Sequence, residues 1–314
     1  MRQYPVFQQL DDRPFAHCAT LMELNNGDLM TAWMSGAYET ARDVAILAST
    51  LAPEATEWSA PRVIAAVAGY SLGQPVLLPR PDGALWLFFD VIMEDDWRTA
   101  VPYLQKSWDG GKTWDAAERI FDYPGLMFRN RVLELDDRII VPAYDENTWQ
   151  SHMMMSDDAG ATWRLSAPLV TPTGNIHPSL VRRSDGTLLC YLRTGGKGGV
   201  IWRTTSTDRG ETWSPVEPTT LPNPNSGIDL LRLSNGQLVL AFNNSPRFRT
   251  PLCVAIASEA EDWTCIKALE TDYFEFSYPT LLQRRDGSIH LVYTSKREHI
   301  HYAQFDERWL REGC

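Results

Sequence analysis

The chain has few cysteines, fewer basic than acidic residues, and no long apolar run, and each shortage excludes something. Its five cysteines (Cys18, Cys190, Cys253, Cys265, Cys314) stand far apart in 314 residues without a Cys-x-x-Cys pair. Neither a disulfide framework nor a zinc site is expected; reduced thiols packed as small apolar groups are. Forty acids against 29 bases leave a net charge of −11, which argues against nucleic acid or an anionic membrane as partner. An anion recognised here must meet a local basic pocket. No segment approaches about 18 uninterrupted apolar residues, and the start, MRQYPVFQQLDDRPF, has no apolar core behind a basic cap. The expectation is a cytoplasmic protein with no signal peptide or anchor. No cluster such as His-x-x-x-His occurs, so no metal or other cofactor is expected. Nothing in the sequence marks an oligomeric state.

What the chain does have is repetition. An Asn/Asp-Gly turn followed by an apolar strand recurs at Gly27, Gly83, Gly186, Gly236 and Gly287, with LDDRIIVPA around Asp137 filling the gap, at steps of 49 to 56 residues. Such turns between short β-branched or aromatic runs signal hairpins. A second motif, S-x-D-x-G-x-T-W, follows three of them at Ser107 to Trp114, Ser156 to Trp163 and Ser206 to Trp213. Degenerate copies end at Trp58, Trp263 and Trp309, so six of the twelve tryptophans hold one position of the repeat. The motif reads as a tight turn in which Gly gives backbone freedom, Asp and Ser/Thr bond the turn amides, and Trp packs beneath. Its role is structural.

Six units of roughly 50 residues with about four strands each match the blades of a propeller. The fold class is therefore all-β: a six-bladed β-propeller of four-stranded antiparallel blades, with residues 1–314 forming one domain. After SIHLVYTS and EHIHYAQF too little chain remains for a further strand, and Tyr4 to Gln9 can supply the outer strand of the last blade. The strand before each Asn/Asp-Gly turn should be the innermost one, facing a funnel on the axis. Upstream of the six turns stand His17 and Cys18; Gln74 and Pro75; Arg129, Asn130 and Arg131; His177 and Pro178; Asn225, Gly227 and Asp229; and Ser277, Tyr278 and Pro279. Six polar strand starts at equivalent positions predict a shared polar funnel, with His17, Gln74, Arg129 and Asp229 as candidate binding residues.

The boxes, their period and the six-unit count resemble the sialidase (neuraminidase) superfamily of Asp-box propellers. The strings HCATLMELNNGDLMTAW, ARDVAI, LPNPNSGIDLLRL and FSYPTLLQRRDGSIHLVY are similar to its sialidase-like branch of BNR-repeat proteins. The resemblance implies a tyrosine nucleophile, an acid/base residue on an early loop, and arginines that clasp a carboxylate. On this chain it points to Tyr278 as nucleophile, an exception to the two-carboxylate glycosidase plan. Glu39 takes the acid/base position in GAYETARD, with Asp43 as second candidate or as a cap of backbone amides. Arg193 and Arg249 match two family arginines, and guanidinium forks suit bidentate carboxylate binding. The third family arginine is missing at the first blade, where Arg129, Arg131 or Arg42 could substitute. His177 stands where the family places the glutamate that activates tyrosine, and an imidazole can take a phenolic proton near neutral pH.

The leading expectation is an exo-acting glycoside hydrolase that removes a terminal acidic sugar, a sialic, other ulosonic or uronic acid, from a glycan. Attack by Tyr278 implies retention, and charge stabilisation alone implies inversion. The alternatives are a glycan-binding propeller without catalysis and a protein-interaction scaffold.

Overall fold

Left-handed turn residues punctuate the chain ahead of the second strand of every blade. Gly27, Gly83, Gly186, Gly236 and Gly287 have φ between 86° and 91°, a region glycine enters without steric cost. In the blade that lacks this glycine, Asp136 takes the position with φ 49°, one residue ahead of the Asp137 around which the turn is expected.

In the computed structural model, which describes residues 1–312, the strands form six antiparallel sheets. From the axis outward, blade one consists of Phe15–Glu23, Leu29–Gly36, Ala45–Leu51 and Arg62–Ala65. Blade two follows with Ser71–Pro79, Leu85–Ile92, Ala100–Ser107 and Glu118–Arg119. Blade three has a split inner strand, Leu126–Phe128 and Leu133–Leu135, against Arg138–Asp145, then Gln150–Ser156 and Arg164–Leu165. Blade four is Asn175–Arg182, Leu188–Thr194, Gly199–Ser206 and Glu217–Asn223; blade five is Asp229–Arg232, Leu238–Asn243, Leu252–Ala257 and Cys265–Glu270. Blade six takes Phe276–Gln283, Ile289–Ser295 and His299–Phe305 from the end of the chain and Arg2–Pro5 from its start. Tyr4 pairs with Tyr302 and Pro5 with His301, so the closing strand is the N-terminal one, beginning slightly before the expected Tyr4.

Each sheet is covered on both faces by its neighbours. That is why Leu29–Gly36, Leu85–Ile92, Arg138–Asp145 and Leu188–Thr194 are buried along their whole length and do not alternate in polarity. Between blades one and two, Met30, Ala32 and Met34 pack with Leu77, Leu87 and Phe89; each large apolar side chain so buried contributes about 1.5–3 kcal/mol. The boxes fold as expected. The Asp158 carboxylate accepts from Thr162 N (2.8 Å) and Thr162 Oγ1 (2.6 Å), and Ser156 Oγ accepts from Gly160 N (2.8 Å). Trp114 and Trp213 donate Nε1–H to the carbonyls of Gly111 (3.1 Å) and Gly210 (3.2 Å).

Cys18, Cys190 and Cys253 are buried free thiols. Cys265 is disulfide-bonded, which corrects the expectation of reduced thiols throughout. Its strand packs beside the C-terminal helix Glu307–Arg311, and a bond made through tertiary proximity leaves no Cys-x-x-Cys spacing to read. Cys314 lies outside the described residues. No helix among the described residues is long and apolar enough to cross a membrane.

Candidate active site

Every blade sends one strained residue toward the axis. At or just ahead of the innermost strands, Cys18 (φ 57°), Gln74 (46°), Asn130 (72°), His177 (53°), Asn225 (60°) and Tyr278 (53°) all have left-handed backbone. In four blades the hairpin register slips at this point, between His17 and Thr20, Gly73 and Val76, Ile176 and Ser179, and Ser277 and Thr280. These are β-bulges, which break the ladder and re-aim side chains. Pro75, Pro178 and Pro279 follow three of them, at places where no ladder hydrogen bond needs a donor. A bulky residue in this conformation costs ~1–3 kcal/mol, a strain that persists where the surroundings enforce it.

The bulges assemble a belt of rings around Tyr278. The His17 imidazole lies 4.2 Å from the Tyr278 ring centroid, His177 meets the same ring edge-on at 5.3 Å, and Tyr144 meets His177 at 4.9 Å. Gln74 Nε2 then donates to Tyr144 Oη (3.2 Å). Blade five contributes clearance: a Cβ on Gly227 would lie 3.3 Å from Tyr278 Cα and Cγ. Tyr278 is thus held between its neighbours, 7% exposed.

Four guanidinium groups surround this tyrosine. Arg193 Nη1 donates to Tyr278 Oη (2.8 Å) and to His177 Nδ1 (3.2 Å), while its Nε donates to Asn225 Oδ1 (2.9 Å). Because a guanidinium can only donate, His177 accepts at Nδ1 and carries its proton on Nε2. Arg129, almost wholly buried, donates to the carbonyls of Tyr278 (3.1 Å) and Ala19 (3.2 Å). The Arg129, Arg193 and Arg249 guanidinium carbons stand 5.5, 5.6 and 5.4 Å from the Tyr278 ring centroid. Arg249 pairs with Glu275 (2.7 Å); Arg297 pairs with Glu275 (3.1 Å) and with Glu39. Four cations against two paired carboxylates leave an electropositive site in an acidic chain.

This environment sets the protonation states. Burial, reinforced by the surrounding arginines, holds His17 and His177 well below the ordinary imidazole range, so both are neutral. Glu275 stays below the usual carboxylate range because Arg249 and Arg297 outweigh its burial. Asp90, fully buried in blade two and bonded only through Oδ2 to Phe128 N (3.4 Å), is pushed well above that range by burial. Glu146, on the hairpin after Arg138–Asp145, is pushed up to about 7 by burial, with Arg193 the cation that opposes the shift most. Its side chain has no hydrogen-bond partner among the described residues. Buried His17 Nε2, Gln74 Oε1 and Asp90 Oδ1 also lack partners. In a buried polar site such unmatched groups call for water or a ligand.

The fold brings together Tyr278, His177, His17, Gln74, Arg129, Arg193 and Arg249, and places Glu39 at Arg297. Asp43 lies outside this cluster and accepts hydrogen bonds from Ala37 N through both oxygens (3.2 Å each). Asp229 ties inner strands together, accepting from Ser179 Oγ (2.9 Å) and Leu281 N (2.7 Å) beside Arg131. Arg42 pairs with exposed Asp95 (3.1 Å). Sequence reasoning missed Arg297, Glu275, Tyr144 and Glu146. Glu275 could have been found three residues before Tyr278, and Arg297 in the short turn after the next strand. Tyr144 and Glu146 sit at the far end of a second strand, where the repeat gives no signal. A cavity of about 520 Å³ lies between Tyr4–Leu10 and Thr56–Pro61 at the outer edge and contains none of these residues.

A family model described as BNR repeat-like domain matches residues 27–291. The chain belongs to the BNR repeat-like domain family. No curated protein sequence matches this BNR repeat-like chain. Among solved structures it is similar to the intramolecular trans-sialidase of leech (16% identity, 100% of this chain and 71% of that one, TM-score 0.83). It is also similar to the intramolecular trans-sialidase of Ruminococcus gnavus (17%, 98% of each chain, TM-score 0.80) and to an α-L-arabinofuranosidase of Fusarium graminearum (12%, 98% of each, TM-score 0.77). At these identities the likeness shows the shared six-bladed fold.

Proposed function

We propose that the protein is an exo-acting glycoside hydrolase that releases a terminal acidic sugar, a sialic, other ulosonic or uronic acid, from a glycan. The observation that carries this reading is the gathering of four guanidinium groups about one axial tyrosine, one of them bonded to its hydroxyl, in a chain of net charge −11. Sialidases among the structural neighbours support a glycan substrate.

Arg249 and Arg297 clasp the sugar carboxylate, and Glu275 and Glu39 hold the two guanidinium groups in place. Tyr278 attacks the anomeric carbon as a neutral phenol, which avoids repulsion from the anionic sugar. Arg193 already donates to the phenolic oxygen, so the phenolic proton points away from it and passes to solvent water in the funnel as the oxygen–carbon bond forms. His177 shares the Arg193 nitrogen and has no hydrogen bond to the phenol; its part is to orient Arg193. The leaving oxygen needs a protonated carboxyl. Glu39, the residue the family resemblance names, is engaged with Arg297. Glu146, with a pKa of about 7 and no partner, is in the state a proton donor requires, and the role is assigned to it. Glu146, now a carboxylate, takes a proton from the water whose oxygen attacks the anomeric carbon; the tyrosyl–glycosyl bond breaks, the phenolate is reprotonated from solvent, and the product retains its configuration.

Turnover of methylumbelliferyl sialosides, ulosonides and glucuronides, compared between the wild-type protein and Tyr278→Phe, tests the reading. The variant should lose on the order of 10³-fold in kcat or more while melting normally; full turnover would remove the nucleophile. Binding without catalysis is the second reading. Its support is that the phenol bonds Arg193 and no carboxylate, and calorimetric binding of these glycosides with no sugar released would favour it.

A further inference from the structure

We propose that Phe248, Tyr273 and Phe274 form a stacking platform at the funnel mouth for the sugar unit next to the one held by the arginines. This rests on the proposed function, and it makes the substrate an oligosaccharide end whose penultimate unit is recognised.

Large apolar side chains are exposed at few points of this surface, and three of them meet here: Phe248 is 52%, Tyr273 81% and Phe274 54% exposed. The Phe248 and Tyr273 rings are 6.0 Å apart and tilted by 54°. Two loops present them, and the loops are fastened to each other. Phe276 N donates to the Arg249 carbonyl (2.9 Å), and Thr250 Oγ1 donates to the Asp272 carbonyl (2.8 Å). Ser245 Oγ caps the first loop by accepting from Phe248 N (3.0 Å). Exposed aromatic rings on a braced backbone mark a binding surface.

The occupant follows from continuity with the site. The cavity of about 350 Å³ that these rings line is also lined by Arg249 and Glu275. A sugar whose carboxylate is held by Arg249 therefore sits at the edge of this cavity, with the next unit of its glycan within reach of these rings. Sugar rings carry C–H bonds polarised by neighbouring oxygens, and such a face matches the negative face of an aromatic ring. The cavity is at the small end of ligand pockets, roughly 300–1,000 Å³.

Binding to the Tyr278→Phe protein separates this proposal from the hydrolase reading. The probes are 3′-sialyllactose and a glucuronate-terminated trisaccharide, each beside the methyl glycoside of its terminal sugar, titrated by calorimetry. The favoured trisaccharide should bind at least about tenfold more tightly than its methyl glycoside. Adding Tyr273→Ala and Phe274→Ala should abolish that advantage and leave the methyl glycoside affinity unchanged. Equal affinities in the starting protein, or an advantage that survives the substitutions, would overturn the platform. Trisaccharide preference in the absence of any turnover by the wild type sinks the hydrolase and leaves the platform standing, while failure of all four probes to bind overturns both.

Discussion

The outer turns and the axial bulges of this propeller both depend on left-handed residues, and they use them in opposite ways. In the boxes a left-handed glycine closes each turn, as at Gly111, Gly160 and Gly210, after a left-handed Gly110, Ala159 or Arg209, and the Ser and Asp side chains bond the turn amides, while the indole Nε1 of Trp163 stays unmatched. At the axis the same backbone region is occupied by Cys18, Gln74, Asn130, His177, Asn225 and Tyr278. There, buried atoms such as His17 Nε2 and Gln74 Oε1 are unmatched. Turns that repeat one sequence and bond their own amides build the scaffold; at the axis the same strained position is filled by six residues of varied side chain, where a protein departs from local optimality for function.

Substitutions can break or sharpen that contrast. The largest effect is expected at Arg193→Ala, which removes the donor shared by Tyr278 and His177: kcat/KM should fall on the order of 10³-fold, measured on the best fluorogenic glycoside. Next is Glu146→Gln. Activity of the parent should decline as pH rises through about 7, where the donor loses its proton. The amide should lower kcat on the order of 10²-fold and remove that alkaline limb from the pH profile. Gly227→Ala should push the Tyr278 ring and cost about tenfold in kcat with little change in melting temperature.

The imidazoles give a stability test. His17 is neutral in the fold, with its pKa depressed by burial and then by the arginines, whereas the unfolded chain protonates near the ordinary value of about 6.5. Its stabilising contribution is complete above that value and is lost as pH falls below it. His17→Gln should therefore melt with a shallower loss of Tm between pH 7.5 and 5 than the parent, followed by calorimetry. The smallest effect on activity is expected from Asp208→Ala on the outer turn. It should lower Tm by roughly 2–5 °C and leave kcat/KM within about twofold; a collapse of activity there would erase the distinction between rim and axis.

The same distinction explains what could be read from the sequence. Repetition made the scaffold legible: three copies of S-x-D-x-G-x-T-W and six turns gave blade number, strand order and the innermost strands. The bulge residues Gln74, His177 and Tyr278 were legible as polar starts of otherwise apolar strands. Asp229 matches that pattern too and bonds Ser179 and Leu281 of neighbouring inner strands; polarity at the axis does not tell a brace from a ligand contact. Arg297 was invisible for a different reason. It comes from a turn in blade six and reaches Glu39 of blade one only because the ring closes. Glu146 carries no pattern either, since what distinguishes it is a half-buried place within the field of Arg193, and that is a property of the folded neighbourhood.

The closing strand has a mechanical consequence. Arg2–Pro5 is bonded to His299–Phe305, that strand to Ile289–Ser295, and the last to Phe276–Gln283, which bears Tyr278. Arg297 belongs to the turn joining the two middle strands of this series. The blade that presents the tyrosine is therefore clasped by segments about 300 residues apart in sequence. Until residues 2–5 pair with residues 299–305, the blade that bears the tyrosine and its arginine lacks its outer strand, so closing the ring and seating the axial site are the same molecular event.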